Sequence, residues 1–185
     1  LEVSPYLARD TEGTKAEARR LYGAVDRPNC YIKIPGTQEG IPAIEEMLYE
    51  GVNINVTLLF SIERYAEVAQ AYVRAVTRRV AEGKPVTSTV SVASFFLSRI
   101  DVLTDQILRQ YEFQDGKQSP DPRGLAGKAG VASARLAYQK FKEIFHSEAW
   151  NKLAAKGAHV QRVLWASTSN KDPNGSDVRY VNTLI

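Results

Sequence analysis

Short apolar runs alternate with helical periodicity along almost the whole chain, and no other feature restricts the fold as much. The runs are residues 1–4, 30–34, 53–60, 87–95 and 160–166. Residues 11–24 read as a helix, with Ala16, Ala18, Leu21 and Tyr22 among charges. Pro42 suits the first turn of the next helix, whose apolar face is Ile41, Ile44, Met47 and Leu48. Ser61 reads as the cap of a helix carrying Tyr65, Val68, Ala69, Tyr72 and Val76, which ends near Gly83-Lys84-Pro85. Residues 99–111 and 125–145 are helical on either side of a turn-rich loop at 115–122. Residues 147–156 form a shorter helix, and the tail after Asp172 opens one more. Repeated strand-helix alternation predicts a parallel sheet with right-handed crossovers. No Gly-rich dinucleotide fingerprint follows the first run, and no P-loop occurs. The fold class expected is therefore α/β, a (β/α)8 TIM-type barrel. A whole barrel takes about 250 residues. These 185 residues form one domain holding about five of the eight strands, the middle and later part of such a barrel.

Composition narrows the function classes. A single cysteine forms no internal disulfide, and no Cys/His cluster has zinc-ligand spacing. A reducing compartment follows, and with it a cytoplasmic location. The longest uncharged stretch, residues 85–98, is too short and too rich in Ser and Thr to span a bilayer, so no membrane partner is expected. A net charge of +3 with both signs interspersed is too weak for a nucleic-acid footprint. The chain begins at Leu1, already inside an apolar run, so residues upstream are expected.

Lys33 lies inside Cys30-Tyr31-Ile32-Lys33-Ile34-Pro35-Gly36, a run that reads as a buried parallel strand. A charge there is costly unless it is paired or loses its proton. A desolvated lysine is a nucleophilic free amine able to form Schiff bases. The alternative is a lysine whose stem packs while its ammonium reaches water.

Strand parity puts Asn53, Asn55 and Thr57 on one face and Ile54, Val56 and Leu58 on the other. Branched apolar residues normally fill a barrel lumen, so two amides and a hydroxyl suit a ligand rich in hydroxyls, such as a sugar. The alternative is a half-exposed strand with a wet polar face. Glu2 is a candidate acid or base beside the lysine, or simply its ion-pair partner. Ser94 and Phe96 end the fourth run on one face. Arg99 follows, with Ser98 as a candidate cap, an arrangement that holds phosphate. The alternative is an exposed arginine paired with Asp101 or Asp105. Ser167-Thr168-Ser169-Asn170-Lys171 is either a second half of that cradle or a polar loop. His146 and His159 read as surface or structural, Trp165 and Cys30 as core, and Ala132, Leu136, Tyr138 and Phe141 as scaffold.

Together these residues resemble the transaldolase family, the class I Schiff-base enzymes of the pentose phosphate pathway. The resemblance runs over essentially the whole chain. It is carried by Leu1-Glu2-Val3-Ser4-Pro5, Ile32-Lys33-Ile34-Pro35-Gly36-Thr37, the run from Gly51 to Ser61 and the run from Ser91 to Asp101. Leu164-Trp165-Ala166-Ser167-Thr168 resembles the bacterial-type branch. The resemblance implies that Lys33 forms the Schiff base with a ketose phosphate, while Glu2 and Thr57 hold the catalytic water. It implies that Asn55 and Ser94 bind substrate hydroxyls and that Phe96 lines the pocket. Arg99 would hold the phosphate with Ser167. Ser169 stands where the better-known branch has Arg, which gives Lys171 the second cationic role.

The implied reaction moves a three-carbon unit between sugar phosphates and needs no metal or organic cofactor. The family's catalytic Asp and an Asn on the second strand would precede Leu1, and the last strand would follow Ile185. An open barrel of this kind is expected to self-associate and to be poorly stable or weakly active alone. The competing readings are a fructose-6-phosphate-type aldolase, which releases the three-carbon unit, and a non-catalytic sugar-phosphate-binding remnant.

Overall fold

A computed structural model describes residues 1–114, 124–169, 171 and 176–184, with the backbone alone for 111–114. The predicted loop at 115–122 lies outside the described residues.

Strands β1 (Ile32–Pro35), β2 (Ile54–Leu59), β3 (Ser91–Phe96) and β4 (Arg162–Ala166) form one sheet in the order β1-β2-β3-β4. Every neighbouring pair is parallel. A doubly wound sheet reverses its strand order at a switch point. This sheet advances in chain order without reversal, as a (β/α)8 barrel does. The helices are α1 (Thr11–Val25), α2 (Gly40–Glu50), α3 (Ile62–Ala81), α4 (Ser98–Gln114), α5 (Ala129–Phe145), α6 (Glu148–Ala154) and α7 (Arg179–Leu184).

The first predicted strand is shorter than expected. Residues near Glu2 make only an isolated bridge to Lys33, with Val3 N–H donating to Lys33 O at 3.1 Å and Lys33 N–H to Leu1 O at 2.7 Å. Pro5, which has no N–H and a fixed φ, turns the chain into a short 3-10 segment, Pro5–Leu7. Among the described residues the sheet is thus four strands and a bridging segment rather than five strands. All four strands also start later than predicted, at Ile32, Ile54, Ser91 and Arg162. The α5 helix begins at Ala129 instead of 125, because Gly127 adopts φ 66°, a left-handed conformation that a helix cannot continue through.

The core lies between the sheet and its helices. Ile32, Ile34, Ile54, Val56, Ala93 and Phe95 are fully buried, as are Ile44, Met47 and Leu48 of α2 and Tyr65, Val68, Ala69 and Tyr72 of α3. Phe95 packs edge-on against both Tyr65 and Trp165, with centroids 6.5 and 6.3 Å away. Leu58 corrects the parity reading. The ladder slips between Val56 and Leu59, Leu58 takes φ 60°, and its side chain is exposed while Leu59 is buried. One extra residue in a bulge moves the side chains after it to the opposite face. Among the described residues, no helix is long and apolar enough to cross a membrane.

Candidate active site

The opposite face of the sheet collects the polar residues, and the ladder fixes their heights. Glu2 pairs with Lys33, Lys33 with Asn55, and Asn55 with Val92. Paired residues on neighbouring strands point the same way, so Glu2, Lys33 and Asn55 stand side by side in one row. Lys33 Nζ lies 3.4 Å from Glu2 Oε2. Two positions beyond Val92, the Ser94 hydroxyl donates to Asn55 Oδ1 at 2.7 Å. That bond orients the amide and leaves its NH2 as a donor toward the open face. Thr57 sits two residues above Asn55, opposite Pro35, and is buried. Its backbone carbonyl accepts from Gly36 N–H at 2.9 Å, and its hydroxyl makes no hydrogen bond among the described residues.

The reading of Lys33 as a desolvated amine is corrected, and the alternative of a packed stem with its end group at water holds. The Lys33 side chain is 38% exposed and faces the Glu2 carboxylate, itself 49% exposed. On this face β4 shows Arg162 and Leu164 to solvent as well, so water reaches the row. The ion-pair reading of Glu2 therefore describes this state. Asn53 is also reassigned. Its amide donates to Pro28 O at 2.9 Å and accepts from Val90 N–H at 3.0 Å, and it is buried. Both ends join backbone at the start of the strands, so this amide is structural.

A second group stands at the C-terminal ends of β2, β3 and β4. The Phe96 and Phe60 rings lie 5.2 Å apart, and the Arg99 guanidinium is 5.3 Å from the Phe96 centroid. Arg99 is exposed in the first turn of α4. The alternative ion pairs to Asp101 and Asp105 are not formed, since those carboxylates accept from Gly130 N–H and Gly127 N–H at 2.7 and 2.8 Å. Ser98 is the first residue of α4 rather than its cap. Its hydroxyl lies 2.8 Å from Ser167 Oγ, and its N–H donates to Ser167 O at 2.9 Å. Ser167 has φ 54°, a conformation costing a non-glycine residue roughly 1–2 kcal/mol, and these two bonds hold it there. Lys171 is exposed and donates to Ser169 Oγ at 2.5 Å; no described contact joins it to Arg99 or Ser167.

Two residues of this face escape a reading of the sequence alone. Phe60 stands there only as the end of a run, although aromatic pairing with Phe96 across adjacent strand ends is open to inference. Arg162 shares the parity of Leu164 and reaches across the concave face, donating to Tyr31 Oη at 3.3 Å. Among the described residues, no cluster of three or more His, Cys, Asp or Glu side chains could hold a metal ion.

Comparison with known proteins agrees with this arrangement. Residues 1–185 match the family described as transaldolase/fructose-6-phosphate aldolase. The chain is 50% identical over 188 residues to transaldolase 2 of Nostoc punctiforme, covering 100% of this chain and 49% of that protein. It is 51% identical over 185 residues to a transaldolase of Saccharopolyspora erythraea, covering 100% and 48%. A transaldolase of Trichodesmium erythraeum is 48% identical over 187 residues, covering 100% and 49%. The chain thus spans about half the length of the curated relatives it matches. A match along every residue, with a parallel sheet in barrel order and a lysine, carboxylate and amide in one row, places the chain in the transaldolase/fructose-6-phosphate aldolase family.

Proposed function

We propose that the protein works as a transaldolase, moving a dihydroxyacetone unit between sugar phosphates through a Schiff base on Lys33. The observation that carries this reading is the row of Lys33 between Glu2 and Asn55, with Ser94 bonded to the amide. The relatives named transaldolase support the choice of transfer.

The chemistry begins with a proton. Lys33 attacks only as the free amine, and the Glu2 carboxylate 3.4 Å away is placed to take its proton directly or through water. The nitrogen adds to the C2 carbonyl of fructose 6-phosphate or sedoheptulose 7-phosphate, and loss of water leaves an iminium. The C4 hydroxyl gives up its proton to the Glu2 and Thr57 water. The C3–C4 bond then breaks, and its electron pair moves into the iminium. An aldose phosphate leaves and an enamine stays bound to Lys33. The enamine attacks the next aldehyde, the new alkoxide regains a proton, and hydrolysis frees the ketose and the amine. The iminium accepts the electrons, so this route calls on no metal or organic cofactor.

Asn55 and Ser94 would meet the substrate hydroxyls and Phe96 the carbon chain. Arg99 and Ser167 would hold the phosphate, with Lys171 as a second cation. Sugar phosphates are charged metabolites, and with a single cysteine we assign the protein to the cytoplasm.

Borohydride reduction in the presence of fructose 6-phosphate, followed by peptide mapping, tests the proposal. Covalent label on Lys33 and transfer to an added aldehyde are expected. Label with release of free dihydroxyacetone would instead make it an aldolase, and no label would make it a non-catalytic binder.

A further inference from the structure

Asp101 is a buried carboxylate, 4% exposed, that the Schiff-base chemistry does not use. It lies two residues after Arg99 in the first turn of α4. Its Oδ1 accepts from Gly130 N–H at 2.7 Å, and its Oδ2 accepts from the Tyr180 hydroxyl at 2.6 Å. One carboxylate thus ties together α4, the first turn of α5 and α7. The α5 helix has no side-chain cap of its own, so Asp101 satisfies one of its free N–H groups from a neighbouring helix. Packing there is tight. A Cβ on Gly130 would stand 2.8 Å from Leu97 O and 2.9 Å from Asp101 Oδ2.

Tyr180 is buried too, and burial together with the Asp101 bond and charge raises its phenol above the ordinary range. It therefore stays protonated and donating at neutral pH. Two described residues that follow β4 in the chain, Ser167 and Tyr180, are accordingly fastened to α4. Ser167 is held by Ser98 through side chain and backbone. Tyr180 is held by Asp101. The two fastenings bracket Arg99.

We propose that the Asp101–Tyr180 bond is a positioning latch, setting the spacing between Arg99 and Ser167 and hence the affinity for the phosphate of the substrate. This rests on the reading of Arg99 and Ser167 as the phosphate end of the site. Tyr180 touches no substrate in this scheme; it acts through Asp101 and the first turn of α4.

The test uses the full chain as wild type, Tyr180→Phe, Asp101→Asn and Arg99→Ala. Binding of inorganic phosphate is measured by calorimetry. Borohydride trapping is then titrated with dihydroxyacetone and with fructose 6-phosphate. Removing one hydrogen bond in Tyr180→Phe is expected to weaken phosphate binding about five- to tenfold. The half-saturation for fructose 6-phosphate rises by a similar factor, while that for dihydroxyacetone and the maximum label stay at the wild-type level. Asp101→Asn keeps an acceptor for Gly130 and can donate to the Tyr180 oxygen, so it gives a smaller loss. Phosphate affinity in Tyr180→Phe equal to wild type, alongside a loss in Arg99→Ala, would overturn the latch. So would a lower melting temperature with equal shifts for both ketones, or a wild-type chain that binds no phosphate. Phosphate binding does not depend on the imine. Failure to trap any ketone therefore counts against the Schiff-base reading alone.

Discussion

Asn53 and Asn55 are two residues apart on the same strand, yet they do different work. Asn53 joins Pro28 O to Val90 N–H and is buried. Among the described residues, the Asn55 side chain bonds only to the Ser94 hydroxyl, which leaves its amide nitrogen free to donate. Asn53→Ala is therefore expected to lower stability by about 1–2 kcal/mol, because two part-buried hydrogen bonds, to Pro28 O and from Val90 N–H, are lost. Denaturant unfolding measures that. Asn55→Ala is expected to leave stability within about 1 kcal/mol while weakening ketose trapping at Lys33. A variant pair behaving the other way round would reverse the two assignments. Alternation alone makes these amides equivalent. Which one is structural depends on where the neighbouring strands begin, and Val90 and Pro28 carry no sign of that in their own residue types. Lys33 is legible in the sequence as the exceptional residue of its strand. Its pairing with Glu2 is legible only as one of two options, since a bridge between residues 31 apart in sequence is a tertiary fact.

The helices match the sequence closely where caps and periodicity agree. Ser61 Oγ accepts from Arg64 N–H at 3.1 Å, and Ser147 Oγ from Trp150 N–H at 3.1 Å, both at helix starts. Ser61→Ala is expected to cost about 1 kcal/mol, read as a lower denaturation midpoint with an unchanged slope. The strands are less legible at their ends. Alternation points Leu58 inward, and the bulge turns it outward. Nothing in Val56-Thr57-Leu58-Leu59 marks an extra residue, because the slip is imposed by the partner strand. The hydroxyl of Ser98 likewise departs from its expected capping role, since Leu97 N–H already donates to Ala166 O at 2.9 Å and α4 starts one residue earlier than a Ser98 cap requires.

At the scale of the molecule, strand-helix alternation and the absence of phosphate-binding glycine motifs are enough to choose a barrel order over a doubly wound sheet, and β1-β2-β3-β4 agrees. The same scale sets the pH dependence of stability. Tyr65, Tyr72 and Tyr180 all have phenols raised above their ordinary value of 10.0 by burial. The native state therefore keeps protons that the unfolded chain gives up. This contribution is complete below about pH 10 and declines as pH rises further. Unfolding free energies measured from about pH 8 to about pH 11.5 are expected to be flat at first and then to fall. Tyr180→Phe should make the fall shallower. The central claim concerns a single covalent bond. Borohydride reduction with fructose 6-phosphate, followed by mass mapping of wild type and Lys33→Ala, examines it directly. The expected result is a reduced ketose adduct on the peptide containing Lys33, absent from the variant. An adduct on another lysine, or none in the wild type, would contradict it.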